Sequence, residues 1–205
     1  MRVAPVGLFA WRAGQQDAPQ ETFRLGTELA ALTHGHPTGA LTGGVLAVLI
    51  QGLTDGAALS DVLNTAKAIL RTEANHEETL RALDMAEELA RTKILPREAI
   101  EQLGQGWVAE EALAISVYCA LVAKSFQHGI LIAVNHDGDS DSTGAIAGNL
   151  LGAMYGVKSI PSEWLEPLEL RDVINTLAED LYAFKDWEIG EYSGNSEMNR
   201  LIWQK

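Results

Sequence analysis

Between Asp137 and Thr143 the chain sets three carboxylates, Asp137, Asp139 and Asp141, among three hydroxyls, Ser140, Ser142 and Thr143. Oxygen donors at this density suit a hard cation such as Mg²⁺, Mn²⁺ or Ca²⁺ in preference to zinc, which selects nitrogen and sulfur. Without a cation the carboxylates repel one another and at least one pKa rises. Asp139 and Asp141 are one residue apart, so an irregular turn can aim both at a single point while Ser142 adds its hydroxyl or its carbonyl. That is half the shell of an octahedral ion. Gly138 opens backbone conformations closed to other residues, and Ser140 or Ser142 can cap a helix starting near Thr143, whose first amides lack partners.

Two other readings of the same residues stay open. Asp137, Asp139 and Asp141 match the first, third and fifth positions of a helix-loop-helix calcium loop, but Ser142 stands where that loop needs Gly and Gly148 where it needs a bidentate Glu. An acidic turn that only caps a helix and complements its dipole is the other, and spacing alone does not separate it from a metal site.

His34 and His36 lie between Thr33 and Pro37, beside a helix start whose amides can receive a phosphate, or in a turn tied by side-chain hydrogen bonds. His136 is placed to support the acidic turn, to act as a general base, or to pack beneath it. Glu110 and Glu111 open an apolar helix, where capping of the preceding loop competes with catalysis. His76 and His128 read as surface and helix-end residues.

The elements that must hold these groups are helices. Gly144, Gly148, Gly152 and Gly156 recur every fourth residue and share one side of the helix behind the acids. Each interior glycine costs about 1 kcal/mol relative to alanine, so the stripe predicts something pressed closely against it, either a second helix backbone, the default, or a ligand. Pro37 opens a helix running to Leu53, ended by Thr54 to Gly56. Another starts at Ser60 or Asp61 with Val62, Ala66, Ile69 and Leu70 on one face. A charged helix spans 77–93 with Leu80, Leu83, Ala86 and Ala90 inward. Pro96 starts a short helix to Leu103, and a buried helix is expected from Ala109 to His128, stopped by Gly129. Ile130 to Val134 reads as buried helix or an extended lead-in. Leu170, Val173, Ile174, Leu177, Leu181 and Phe184 keep a helical period, and residues 189–205 read as a looser tail. No repeat or linker interrupts the chain, so the expectation is one all-α domain over 1–205.

With these residues in view, the sequence resembles the ADP-ribosylglycohydrolases, particularly the branch that removes ADP-ribose from arginine. Gly138 to Gly148 is similar to that family's second metal motif, Thr33 to Gly39 to its Thr-His-x-His-Pro element, and Gly104 to Leu113 to the glycine loop opening a core helix in bacterial members. The three segments occur in the family's order. The resemblance implies a compact multi-helix hydrolase that uses two Mg²⁺ (or Mn²⁺) ions to cleave the N-glycosidic bond between ADP-ribose and an acceptor such as an arginine guanidinium. It implies Asp139, Asp141 and Ser142 as metal ligands, His34 beside the phosphates of ADP-ribose, and Trp107 and Val108 as walls of the nucleotide site. The expected partner is ADP-ribose or an ADP-ribosylated protein.

One departure stands out. The family carries an earlier Ser/Thr-Asp-Asp-Ser/Thr element that supplies the other side of the metal pair, together with a glycine-serine loop for the diphosphate, and this chain contains no Asp-Asp dipeptide. Met1 to Leu8 is similar to the stretch that follows those elements in longer relatives. The resemblance therefore implies an N-terminally incomplete domain with little hydrolysis on its own. The alternatives are a truncated reading frame, a split enzyme with a complementing N-terminal chain, ligands supplied by a homo-oligomer, or a remnant kept for binding or assembly.

Composition narrows the partners. The 205 residues are 47% hydrophobic and 21% charged, enough for a sizeable core. A net charge of -13 disfavours nucleic acid or an anionic membrane, which need a basic face. The most apolar stretch, Ala40 to Leu53, is broken by Thr42 and Gln51 and is shorter than a membrane span. With no basic leader at the N-terminus, a cytoplasmic location is the expectation. Cys119 is the only cysteine and lies in an apolar run, which fits core packing better than a catalytic thiol.

Overall fold

The computed structural model describes residues 1–186, and among them every regular element is a helix: α1 (Ala4–Ala13), α2 (Pro19–Ala31), α3 (Pro37–Thr54), α4 (Leu59–Leu70), α5 (Glu77–Ala90), α6 (Pro96–Leu103), α7 (Ala109–Val122), α8 (Phe126–Val134), α9 (Ser140–Tyr155), α10 (Ser162–Leu165) and α11 (Arg171–Ala183), with short 3₁₀ turns after α9 and α11. The all-α expectation holds. Met1–Arg171 form one compact unit and a second begins at Asp172. The expected looser tail, 189–205, lies outside the described residues.

Local sequence explains most boundaries. Prolines open α1, α2, α3 and α6 within their first two positions, where the missing N–H costs nothing. Gly14 closes α1 in the left-handed conformation at φ 82°, the usual role of glycine at a helix C-terminus. His36 caps α3 by accepting the Thr38 amide at Nδ1. The 77–93 helix stops at Ala90, and its buried side is Thr79, Leu83, Ala86 and Leu89.

The core is built on two helices that are apolar almost all round, α3 and α7, as buried helices are. α1, α2 and α4 pack on α3; α5, α8 and α9 pack on α7; α9 also touches α3. α3 is long and apolar enough to cross a membrane by composition, but its apolar surface is consumed within the protein, where Val45, Leu49 and Ile50 are buried. Cys119 is buried in α7, and burial pushes its thiol up to about 12, consistent with a packing role.

The long helix expected from Ala109 to His128 is two helices. Ala123 turns extended and Ser125 accepts the His128 amide at 3.1 Å, starting α8. Gly129 is therefore inside a helix and not its stop. A Cβ there would sit 2.6 Å from Leu151 of α9 and 3.0 Å from Ala123, so its smallness lets α8 fold back against its neighbours. Ile130 to Val134 belongs to this helix, but Leu131 and Val134 are exposed.

The glycine stripe of α9 also differs from expectation. Gly144 packs closely under Val134 and Gly148 loosely under Ile130, while Gly152 meets nothing and Gly156 lies beyond the helix at φ 73°. Only the half nearest the acids is pressed by a neighbour, through Val134 and Ile130 of α8. The close glycine crossing lies elsewhere, between α2 and α3: a Cβ on Gly26 would meet the Gly43 carbonyl at 2.8 Å, and one on Gly43 the Gly26 carbonyl at 3.0 Å.

α4 and α5 are joined by buried Lys67, which donates to Asp84 at 2.9 Å and to Glu87. Desolvation opposes its charge, but the hydrogen bonds to Glu87 and then Asp84 outweigh it and lift its pKa above 10.5. Its contribution is complete below about that pH and fades only as pH rises further. Lys67→Ala leaves the largely buried Glu87 with only the exposed Arg91, 3.8 Å away, as an ionic partner. It is expected to lower stability by about 3 kcal/mol in urea unfolding, with much of the loss recovered when Glu87→Leu is added.

Candidate functional site

α9 begins at Ser140, three residues before the expected start, with Asp139 at the N-cap position. Neither Ser140 nor Ser142 is the cap. Asp141 and Ser142 thus ride on the first helical turn, and their spacing from Asp139 is set by helix geometry. The Asp139 side chain makes no capping hydrogen bond to the helix.

Two loops hold this corner from behind. Gly138 lies flat on the loop after α6: a Cβ would land on the Gln105 carbonyl, which instead accepts the Asp139 amide at 2.7 Å. That loop is shaped by Gly104 and Gly106, at φ 120° and 80°, and by Glu111, whose Oε2 accepts the amides of Gln105 and Gly106 at 3.0 Å each. Glu111 is thus the cap of its own loop. Glu110 lines the groove beside it, with Oε2 buried and without a hydrogen-bond partner.

Buried Thr143 is the hub beneath the acids. Its hydroxyl lies 2.7 Å from the Ala133 carbonyl and 2.9 Å from His136 Nε2, while His136 Nδ1 accepts the Gly138 amide at 3.1 Å. Ser116 of α7 donates to the Thr143 carbonyl at 3.0 Å, tying the corner to the core helix. Of the placements open to His136, the structure shows the ring beneath the turn.

The corner opens onto a cavity of about 240 Å³ lined by His34, Trp107, Val108, Asp139 and Ser142, with Arg2 and Thr42. Residues from four distant parts of the chain meet there. An adjoining groove shares His34, Trp107 and Val108 and adds His36 and Glu78. His34 sits over Gly39, whose Cβ would come within 2.9 Å of the His34 Cβ, and its Nδ1 lies 2.9 Å from the Thr33 hydroxyl. Trp107 is 67% exposed at the rim, its Nε1 donating to Gln105, and presents a flat apolar face of the kind on which a base stacks.

The acids separate. Asp137 turns away to the Arg97 guanidinium at 3.0 Å, fully in solvent. Asp141 is exposed and outside the cavity lining but within hydrogen-bonding reach of Asp139. Hydrogen bonding from Asp141, then from Ser142, holds the Asp139 carboxyl below its ordinary 3.8, with the Ser142 amide and the His136 ring adding to the pull. Two carboxylates this close repel one another, and a cation between them relieves that repulsion. Asp139, Asp141 and Ser142 fit a hard divalent ion as one side of its shell. Among the described residues no third His, Cys, Asp or Glu joins them.

The ADP-ribosylglycohydrolase family model matches residues 1–189. The chain belongs to the ADP-ribosylglycohydrolase family. An uncharacterised protein of Archaeoglobus fulgidus is 31% identical over 89% of this chain and 56% of its own length. An ADP-ribosylarginine hydrolase of Pseudomonas putida is 33% identical over 40% of the chain and 22% of its own. The ADP-ribosyl-dinitrogen reductase glycohydrolase of Rhodospirillum rubrum is 48% identical over 24% and 17%. Each match thus spans about half or less of the relative's length. The family match begins at the first residue, so it does not support the expectation of an N-terminally incomplete domain.

Three supports of the site are not legible in the sequence: the Gln105 carbonyl, the Thr143 hub and Arg2 at the cavity wall. A backbone acceptor carries no signal in the letters. Thr143 looks like any helix-start threonine, and Arg2 reaches the cavity only through the packing of α1 and α2 on α3.

Proposed function

We propose that this chain binds ADP-ribose and a divalent cation in the cavity between α3, α7 and α9, as a hydrolase of the ADP-ribosylglycohydrolase type acting on an N-glycosidic bond, with arginine-linked ADP-ribose as substrate. The convergence of Asp139, Ser142, His34, Trp107 and Val108 on one cavity carries the reading. Asp139, Asp141 and Ser142 would hold Mg²⁺ or Mn²⁺; when bound, such ions bind sugar hydroxyls and lower the pKa of water. His34 offers an N–H donor beside the start of α3, where amides and dipole favour phosphate, and Trp107 and Val108 form the apolar wall for the nucleotide. The acceptor leaves from the anomeric carbon through an oxocarbenium-like state.

This corner supplies two carboxylates and a hydroxyl, one side of a two-ion site, and the 205 residues hold no Asp-Asp dipeptide to supply the other. If no further donors join it, the protein is a binding module that keeps the cavity.

Calorimetric titration with Mn²⁺ and ADP-ribose, followed by an assay of ADP-ribose release from ADP-ribosylarginine, tests the proposal. Both ligands are expected to bind and to raise the unfolding temperature, with turnover weak for the chain alone and enhanced by a chain bearing the Asp-Asp segment. No thermal shift with Mg²⁺, Mn²⁺ or ADP-ribose would defeat it. Vigorous release by the chain alone would show that the cation shell is completed without a foreign chain.

A further inference from the structure

We propose that His136 is the positioning residue of the acidic corner: its Nδ1 takes the Gly138 amide, its Nε2 engages the Thr143 hydroxyl, and this brace sets Asp139, Asp141 and Ser142 at the mutual spacing that holds a divalent cation. The inference rests on the cation-binding reading above.

The two residues that the ring touches are the immediate flanks of the donor segment, Gly138 before Asp139 and Thr143 after Ser142. A single imidazole therefore spans the segment carrying all three donors and fixes one end against the other. The proton arrangement closes without conflict. Nδ1 accepts an N–H, so in the neutral ring the proton is on Nε2 and is donated to Thr143 Oγ1 at 2.9 Å, since only one ring nitrogen of a neutral histidine carries a proton. Thr143 is then free to donate its own proton to the Ala133 carbonyl at 2.7 Å. Every donor in the chain Gly138, His136, Thr143, Ala133 has one acceptor, and the Thr143 end is fully buried, where hydrogen bonds are stronger and less easily exchanged for water.

The brace is separable from the fold. Without the ring, the Asp139 amide still reaches Gln105 and the Thr143 carbonyl still receives Ser116, so both ends of the segment stay attached to the core while their relative placement loosens. The effect is thus expected in ligand geometry more than in stability. Groups that orient ligands without touching the ion typically change metal affinity by about 10- to 100-fold when removed.

The test is Mn²⁺ titration of the full chain and its variants, by the loss of the free-ion electron paramagnetic resonance signal, alongside thermal unfolding. His136→Ala is expected to weaken Mn²⁺ binding about tenfold with little change in unfolding temperature. His136→Asn, whose amide oxygen falls near the place of Nδ1, should recover most of the loss, which a merely space-filling role would not produce. Mn²⁺ affinity in His136→Ala equal to that of the unaltered chain, with Asp139→Ala still defective, overturns the brace and leaves the cation site standing. Should His136→Ala not fold, the ¹⁵N signature of His136 in the unaltered chain decides: a proton on Nε2 supports the brace and a proton on Nδ1 overturns it. No Mn²⁺ binding by the unaltered chain removes both the cation reading and this inference.

Discussion

Asp139→Ala is expected to lower Mn²⁺ affinity roughly 100-fold, the loss of one charge-assisted interaction of about 2–3 kcal/mol, and to lower any ADP-ribose release at least as much. Asp139 stands at the start of α9 facing the cavity, without a full capping bond, and its nearest ionisable neighbour is another carboxylate. Removing it leaves Asp141 alone at the rim. Asp139→Asn keeps shape and one oxygen but not the charge, so an intermediate loss is expected. Asp137→Ala is the matched control: this carboxylate has the same sequence spacing but points to Arg97, and its removal should change Mn²⁺ affinity by less than about threefold, as befits an exposed pair of small energetic weight. Calorimetry on the three variants, with unfolding temperatures measured in parallel, separates ligand loss from misfolding. Equal effects at Asp137 and Asp139 would mean that the segment acts as a diffuse acidic patch and that no cation is held at the corner.

Gly26→Val is expected to destabilise the chain by about 3 kcal/mol or more, enough to consume much of the margin of an ordinary domain. At this crossing the obstacles to a side chain are the Gly43 carbonyl at 2.8 Å and the Ala47 Cβ at 2.7 Å, mostly backbone or its first carbon, so no flexible side chain can swing aside. Relief requires α2 and α3 to separate along their contact, which would also disturb Thr42 and Gly43, both at the cavity wall. Urea unfolding should therefore show a lower midpoint, and ADP-ribose binding should weaken with it. Gly152→Ala is the counterpart: nothing lies within 4 Å of its Cβ position, and alanine inside α9 is expected to be neutral or to stabilise by up to about 1 kcal/mol. If both substitutions had the same effect, glycine packing would not be what fixes α2 on α3.

The comparison of these two glycines shows where letters carry structure and where they do not. Both sit in helices with apolar neighbours, and the fourfold repeat in α9 is the louder signal. It marks a shared face, but whether a neighbour covers that face depends on how α8 lies across α9, where Val134 and Ile130 reach Gly144 and Gly148 and nothing reaches Gly152. The boundary between α7 and α8 was hidden for a related reason: Leu113 to Val122 and Phe126 to Val134 are both helical by composition, and the break at Ala123 to Ser125 follows from the return of α8 onto α9. Helix starts were better marked, because proline at the first turn acts within a few residues.

The family resemblance rested on three short segments, and the residues it pointed to meet at one cavity although His34 and Ser142 lie more than a hundred positions apart. Asp141 is the partial exception, at the rim beside Asp139 and outside the lining. The supporting shell was not readable, since Gln105 contributes a carbonyl and His136 a choice between roles that only its two hydrogen bonds resolve.

The letters alone sufficed to show that the chain is helical, that the segment containing α7 is interior and that Cys119 is a core residue, because periodicity and propensity are properties of neighbouring residues. Tertiary structure decided which acid faces the cavity and which faces Arg97, that Asp139 and not a serine begins α9, and that His136 bridges Gly138 to Thr143. Those outcomes depend on contacts between segments far apart in the chain, and the orientation of a side chain within a turn is set by what packs against it.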